Sequence, residues 1–237
     1  MNSKVALLGW YGHGNFGDEL ILEGLRTLFK GWQIFVFSND DVGAYPMIDF
    51  NVVNKCDLFV LGGGELINSR WLWMPKPCMF KPRTKLYRLY ARTPFSRRSW
   101  INQVRIRKVV LGCGVDVSQP SELGDNVVRD LSQFNYIGLR DKTAVSILQS
   151  FRQLQSKVHL FYDLAFAINA ELDVIAYLAK VFPIKLHGLI LSHMADVPYK
   201  FHPYHRKVKR VHDTIANLTT EEIRRTQKAR FLEMLSQ

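Results

Sequence analysis

The sequence has few cysteines and no long apolar run. Its three cysteines, Cys56, Cys78 and Cys113, stand alone, and none of them forms a C-x-x-C pair. An odd number of separated thiols excludes a disulfide framework and argues against a thiolate zinc site. The apolar runs at 5–8 and 58–61 end at glycine, far short of the roughly 18 to 20 residues that span a bilayer. Because the first run is also too short for a secretory signal, we expect a protein of the reducing cytoplasm.

Acidic residues are missing from one long segment. No Asp or Glu lies between Glu65 and Asp116, although 12 of the 32 Lys and Arg residues do, and the formal net charge is +11. Aromatic residues are interleaved with these cations, and four prolines break any long helix. We interpret about 68–108 as an insertion, either a solvated cover on one face of a sheet or a surface for a polyanionic acceptor or anionic lipid head groups. The lipid alternative would place the protein peripherally at the inner membrane face. No nucleic-acid-binding signature is present, so we expect no specific nucleic-acid partner.

What the sequence does contain is a repeated strand and helix rhythm. With 237 residues, 47% of them hydrophobic, the chain is long enough for one large or two small domains. Short apolar runs that end in glycine alternate with amphipathic stretches, which indicates a parallel sheet covered on both faces. The predicted fold class is therefore α/β, a Rossmann-like parallel sheet flanked by helices. The predicted strands lie at 5–8, 33–37, 58–61, 109–111, 136–139 and 158–161.

The rhythm changes after about Asp163. A helix is predicted over 172–181, followed by a strand-like apolar run over 189–191. The C-terminal helix is predicted to begin at Thr219, with Glu222 at the capping-box position.

A glycine-rich loop follows the first predicted strand. Residues 12–17 fit G-x-G-x-x-G, and Asp40 lies where a ribose-binding acid belongs in a dinucleotide site. The glycines and the start of the next helix suit a phosphate or carboxylate. However, Asp18 and Glu19 lie in the first helical turn, where they would compete with a pyrophosphate for the same amides. The loop thus predicts an anion site and argues against a nicotinamide cofactor.

Six motifs and a late element follow one another along the chain. They are Gly-Trp-Tyr-Gly-His-Gly-Asn-Phe-Gly-Asp-Glu at 9–19, Leu-Gly-Gly-Gly-Glu at 61–65, Gly-Cys-Gly-Val at 112–115, Leu-Arg-Asp at 139–141, Tyr-Asp-Leu-Ala-Phe at 162–166, Lys-Leu-His-Gly at 185–188 and Tyr-His-Arg-Lys at 204–207. In this order the motifs resemble the polysaccharide pyruvyl transferase family from Lys4 to about Arg210. The resemblance implies two Rossmann-like halves as in GT-B glycosyltransferases, phosphoenolpyruvate as donor, a glycan or lipid-linked sugar as acceptor, and a pyruvate ketal as product. It implies no metal ion and no cofactor.

The resemblance implies roles for individual residues of this sequence. His187 would bind the donor or transfer a proton, Arg140 would clamp a phosphate or carboxylate, and Asp18 would activate an acceptor hydroxyl. Each also has a structural alternative: a carbonyl-bonded turn histidine for His187, a local pair with Asp141 or Asp163 for Arg140, and helix capping for Asp18. The other expected binding positions are Lys185, Gly14, Asn15, Gly17, Gly63, Gly64, Gly114, Tyr204 and Lys207.

The chain departs from the family pattern in composition and in length. Lys185 stands where arginine is usual and lacks its bidentate fork, while Ser69, Asp116 and Ala144 also differ from the pattern. Only residues 169–184 separate the end of the first expected domain, just after the fifth motif, from the sixth motif, so we expect a GT-B-like protein with a truncated second domain. The expected parts are 1–168, a Rossmann-like domain with its insertion, and 169–237, a reduced part that carries the Lys-Leu-His motif.

A shortened second half would leave apolar surface exposed. The run over 189–191 could join the first sheet and bring His187 to the glycine loops, or a homo-oligomer could bury the surface. A third alternative is a non-catalytic relative that binds a glycan or an anion. A GT-B-like glycosyltransferase that uses a sugar nucleotide is a further alternative.

Overall fold

The fold is that of a computed structural model, which describes residues 3–12, 16–39, 46–64, 66–68, 73–75, 97–99, 101–168, 190, 193–194 and 206–237. The helices are α1 (Phe16–Leu28), α2 (Phe50–Val53), α3 (Asp125–Leu131), α4 (Lys142–Gln149), α5 (Arg206–Ile215) and α6 (Thr220–Ser236). The strands are β1 (Lys4–Gly9), β2 (Gln33–Asn39), β3 (Pro46–Met47), β4 (Leu58–Gly62), β5 (Trp73–Pro75), β6 (Arg97–Ser99), β7 (Arg107–Cys113), β8 (Tyr136–Leu139) and β9 (Val158–Leu160). Short 3-10 helices lie at Ile101–Gln103, Pro120–Glu122 and Leu164–Ala167.

Seven strands form one sheet in the order β3-β2-β1-β4-β7-β8-β9. Neighbouring strands are parallel except for β3, which pairs antiparallel with β2 at the edge. This confirms the predicted Rossmann-like parallel sheet flanked by helices. The chain runs outward from β1 to β2 and then returns to β4 on the other side of β1, so the strand order reverses between β1 and β4. In open α/β sheets, ligands bind at the carboxyl ends of the strands beside such a reversal.

The central strands β1, β4, β7 and β8 are largely buried because helices cover both faces of the sheet. Along β1, Val5 and Leu7 point into the core under α1, whereas Ala6 and Leu8 point into the core on the opposite face. All five residues of β4 are buried as well. Two-sided burial explains why these strands have continuous apolar sequences rather than alternating ones.

The C-terminal helix α6 packs into the core of the sheet. Phe231 and Met234 lie in the same apolar cluster as Leu25 and Phe29 of α1, and the Phe231 ring meets the Phe29 ring edge to face at 5.0 Å. The helix begins as expected, since Thr219 and Glu222 form the predicted capping box. The division of the chain at residue 168 stays a prediction. Although α6 follows this position in the sequence, it packs in the core formed by the sheet and α1.

The predicted strand over 189–191 is wrong at Ile190. This residue has helical backbone, as does Met194, and both are buried against α5 and α6. Residues four apart share one helical face, and a short apolar run alone does not distinguish a buried helix from a strand. Leu189 and Leu191, together with the predicted helix over 172–181, lie outside the described residues.

The described parts of the basic insertion include a small ribbon. Strands β5 and β6 pair antiparallel and form a sheet of their own. Two cations of this region bind protein carbonyls: Arg107 donates to Met234 O and Leu235 O at the end of α6, and Lys108 Nζ donates to Val104 O at 2.7 Å. Burial lowers the pKa of Lys108. Arg107 and Lys108 therefore stabilise the fold through hydrogen bonds to backbone carbonyls.

Across the described ranges, no helix combines the length and the apolar composition needed to cross a bilayer.

Candidate functional site

The carboxyl ends of five parallel strands bring most of the described candidate residues to one edge of the sheet. Each strand end is followed by a turn that carries one of the sequence motifs. In strand order the predicted residues are Gly63 and Gly64 after β4, Gly114 after β7 and Arg140 after β8. Gly12 after β1 and Asp163 after β9 lie at the same edge, although neither is among the expected binding positions.

The turn after β1 is closed by its own helix. The buried Tyr11 ring fills the space above Gly9, where an added Cβ would lie 2.3 Å from the ring, and the Tyr11 hydroxyl donates to Gly62 O at 2.6 Å. Burial raises the pKa of this phenol. The amide of Gly12, a residue with φ of +79°, donates to Glu19 Oε1 at 2.7 Å. The Glu19 carboxylate therefore occupies one backbone amide of the first glycine loop.

The turn after β4 lies against the first turn of α1. Gly63 and Gly64 have φ of +71° and +65°, the left-handed region that glycine adopts without steric cost. An added Cβ on Gly63 would lie 2.1 Å from Ile21 Cγ2, and one on Gly64 would lie 3.5 Å from Asp18 Oδ1. The Asp18 carboxyl group thus sits beside Gly64. Asp18 also lies in the first turn of α1, which begins at Phe16, so its catalytic role and its capping role both stay predictions.

Arg140 packs flat against Gly114. An added Cβ on Gly114 would lie 2.7 Å from Cζ, Nε and Nη2 of the guanidinium, so a larger residue would displace it. Arg140 is 4% exposed, and its Nη1 lies 4.0 Å from Oδ2 of Asp163, which is 1% exposed. Asp141 caps α4 instead, where its Oδ1 accepts from Ala144 N at 2.8 Å. Of the two carboxylates considered as partners from the sequence, Asp163 faces the guanidinium.

The glycine turns are connected directly to one another. The Gly114 amide donates to Gly64 O at 2.8 Å, and the Arg140 amide donates to Cys113 O at 3.0 Å. Asp18 lies at one end of this connected pair of turns and Arg140 at the other. A carboxylate and a guanidinium thus flank two glycine backbones, an arrangement suited to an anionic ligand with an adjacent hydroxyl.

The turn after β9 has an unusual backbone. Tyr162 has φ of +67°, and among the described non-glycine residues it is the one with positive φ. Such a conformation is costly for a bulky residue. It leads into Asp163, whose Oδ1 accepts from Ala165 N at 3.0 Å. The sequence signal for Asp163 was its position, an acid directly after a strand that ends at the same edge as the glycine turns.

Helices α5 and α6 hydrogen-bond to three of these turns. Arg210 donates to Val115 O and Val117 O at 3.1 and 2.8 Å, and the Thr214 hydroxyl accepts from the Lys142 amide at 3.2 Å. In α6, Gln227 Nε2 donates to Asp163 O at 2.7 Å. Arg224 of α6 donates to two further carbonyls of the turn after β9, those of Phe166 and Ile168 at 2.9 and 2.7 Å. Sequence reasoning missed these contacts, because nothing local marks a helix residue that binds a distant backbone.

Cys113 lies beneath the glycine turns and has no nucleophilic character. Its side chain is buried, its Sγ lies 3.3 Å from Gly63 O, and burial raises its pKa to about 12. A thiol with such a pKa stays protonated and unreactive at neutral pH. Within the described part of the chain, no group of three or more His, Cys, Asp or Glu could hold a metal ion.

Several expected site residues lie outside the described residues. Gly17 is described and lies buried in the first turn of α1, and Lys207 is the second residue of α5, where its backbone alone is described. The expected residues outside the described part are Gly14, Asn15, Lys185, His187 and Tyr204, together with Asp40.

Comparison with known families supports the interpretation of the motifs. The family model for polysaccharide pyruvyl transferase matches residues 15–183, well over half of the 237 residues. The matched range includes Asp18, both described glycine turns, Arg140 and Asp163, and it ends before Lys185. No curated protein matches the chain significantly.

Proposed function

Because the chain belongs to the polysaccharide pyruvyl transferase family, we propose that it transfers the pyruvyl group of phosphoenolpyruvate to a sugar of a cell-surface polysaccharide or of its precursor. The product would be a cyclic ketal that bridges two hydroxyls of one sugar. The observation that carries the proposal is the shared sheet edge, where the family-matched turns bring Asp18, Gly64, Gly114 and Arg140 into one connected arrangement.

The proposed reaction needs one proton donor and two nucleophilic hydroxyls. A proton added to the enol methylene makes it a methyl group and leaves C2 electrophilic. The first sugar hydroxyl adds to C2 and loses its proton. Inorganic phosphate then leaves with its electron pair, the second hydroxyl adds to the same carbon, and the proton that this hydroxyl loses is taken up by the departing phosphate. One phosphoenolpyruvate and one diol thus give one ketal and one phosphate.

The described residues suit two tasks in this reaction, binding the donor and activating the acceptor hydroxyl. The donor carries a carboxylate and a phosphate, and guanidinium groups, glycine amides and helix starts bind such anions. Arg140 lies against the Gly114 turn and faces Asp163, and it would bind the phosphate or carboxylate of the donor there in exchange for part of its interaction with Asp163. Asp18, at the other end of these turns, would accept a proton from a sugar hydroxyl.

We assign the proton donor to His187, because the family resemblance gives the histidine of the Lys-Leu-His motif a role in donor binding or proton transfer.

A sugar-nucleotide transferase is the alternative activity. The Gly12 amide already binds Glu19 Oε1, which argues against a pyrophosphate in the first glycine loop. The role of the basic insertion at an anionic membrane and a homo-oligomeric state stay predictions.

Phosphate release from phosphoenolpyruvate tests the proposal. We expect release that depends on a sugar, screened with methyl glycosides of common hexoses and with lipid-linked sugars, and that disappears in His187→Ala and falls steeply in Asp18→Asn. His212→Ala and Asp213→Asn are matched controls, because these residues pair with each other on α5 with at least 30% of each side chain exposed. Sugar-dependent release that survives His187→Ala would remove this histidine from the mechanism. Thermal stabilisation by UDP-glucose but not by phosphoenolpyruvate would favour the sugar-nucleotide alternative instead.

A further inference from the structure

We propose that Gln227 of α6 is a positioning residue for the transferase site: it holds the strained turn at Tyr162 and Asp163, and through Asp163 it sets the orientation of the Arg140 guanidinium. The inference rests on the proposed function for its kinetic consequence, but its structural consequence can be measured independently.

The first step is the contact between α6 and the turn. Gln227 is 1% exposed, and its Nε2 donates to Asp163 O at 2.7 Å. Its Oε1 is buried and has no hydrogen-bond partner among the described residues. Burying an unpaired amide oxygen costs stability, so an apolar residue of similar size would suit the core at least as well. The presence of a glutamine at this position is therefore better explained by its hydrogen bond to Asp163 O than by a contribution to core packing.

The second step is the turn itself. Tyr162 has left-handed backbone, which persists in a bulky residue only where the surroundings enforce it. On one side, α1 approaches so closely that an added Cβ on Gly24 would lie 2.1 Å from Leu164 O. On the other side, Gln227 and Arg224 of α6 donate to carbonyls of the turn. The turn is therefore held between two helices that come from opposite ends of the chain.

The third step runs from the turn to the guanidinium. Asp163 Oδ1 accepts from Ala165 N, which fixes the rotation of the carboxylate. Its Oδ2 then lies 4.0 Å from Arg140 Nη1, and the guanidinium packs on Gly114. Moving the Asp163 backbone would move the charge that faces Arg140, so the orientation of the guanidinium depends on Gln227 without any contact between them.

The test compares Gln227→Leu with two matched α6 variants. Lys228→Met alters an exposed neighbour on the same helix. Phe231→Leu removes buried packing against Phe29 and leaves the hydrogen bonds from α6 to the turn unchanged, so it reports what lost stability alone does. Thermal unfolding of all three variants shows whether each is folded under the assay conditions.

The first readout does not depend on the activity. The Nε–H resonance of Arg140, identified in ¹⁵N-labelled protein by its loss in Arg140→Lys, should shift in Gln227→Leu and stay in place in Lys228→Met and Phe231→Leu. An unchanged resonance in Gln227→Leu would overturn the inference, whatever reaction the protein catalyses.

The second readout distinguishes a change in KM from a change in kcat. We expect KM for phosphoenolpyruvate to rise on the order of tenfold in Gln227→Leu, with KM for the sugar unchanged. A purely structural role would lower the active fraction, which reduces apparent kcat and leaves KM alone. Unchanged KM in an active wild-type protein would refute the positioning role while the proposed function stands. If wild type releases no phosphate, the proposed function fails, and the Arg140 resonance alone decides this inference.

Discussion

Gly114→Ala is the sharpest perturbation of the site that the structure offers. The new Cβ would lie 2.7 Å from three atoms of the Arg140 guanidinium. An ordinary van der Waals contact begins at 3.4 Å, so the guanidinium must retreat by about 0.7 Å. Arg140 is 4% exposed and faces Asp163, so it has little room to retreat. Forced packing of this kind costs about 1 to 3 kcal/mol of folding free energy.

The displacement also predicts a loss of activity. Misplacing a binding group by about 1 Å can cost about a hundredfold in rate. We therefore expect kcat/KM for phosphoenolpyruvate to fall by roughly tenfold to a hundredfold in Gly114→Ala. The assay is sugar-dependent phosphate release, alongside chemical unfolding at equilibrium.

Two controls separate the clash from the loss of a glycine. Gly124→Ala is the matched substitution, because nothing lies within 4 Å of the added Cβ. Since Gly124 is the N-cap of α3, we expect this change to cost about 1 kcal/mol of stability and to leave the activity unchanged. In the Arg140→Ala background, Gly114→Ala should cost little, since the atoms that it displaces are gone, and the two changes should be strongly non-additive. Additive effects in this cycle, or a Gly114→Ala protein as stable and active as wild type, would refute the assignment of Arg140 to this position.

Three further predictions concern the surroundings of the site. Gly24→Ala should destabilise the fold by about 3 kcal/mol or more, because its Cβ would meet the backbone at Leu164; a thermal midpoint near that of wild type would contradict the packing of α1 on that turn. Cys113, with its pKa of about 12, should resist iodoacetamide at about pH 8 in the native protein and react after unfolding; native labelling would show that the thiol is accessible. His159, whose pKa is lowered by burial beside Tyr136, favours the neutral form in the fold, so stability is complete above the ordinary value of about 6.5 and falls as the pH drops below it. We expect wild type to lose more unfolding free energy between about pH 7 and pH 5 than His159→Phe, and equal losses would contradict this origin.

The sheet could be predicted because its strands carry their signal locally. Strand β8 was expected at 136–139 and lies at Tyr136–Leu139, since a short apolar segment beside glycine is typical of a buried parallel strand. The capping box at Thr219 could also be found, because both of its partners lie within three residues. Ile190 shows the limit of this approach, as its apolar run fits a strand and a buried helical face equally well.

The sequence predicted which residues lie at the site better than it predicted the contacts between them. The edge location of Arg140 follows from the strand that precedes it, whereas its pairing with Asp163 rather than Asp141 depends on which carboxylate caps a helix. The left-handed backbone of Tyr162 could not be foreseen, because it is imposed by distant helices. Gln227 likewise has no local signal, since its partner lies 64 residues away in the sequence.

Calorimetric titration with phosphoenolpyruvate tests the central claim most directly, because it needs no knowledge of the acceptor. The account predicts that phosphoenolpyruvate binds the wild-type protein and His212→Ala alike, that Arg140→Leu and His187→Ala bind it far more weakly, and that UDP-glucose and NADH give no heat. Binding of UDP-glucose or NADH in place of phosphoenolpyruvate would contradict it, as would equal phosphoenolpyruvate affinity in wild type and in both site variants.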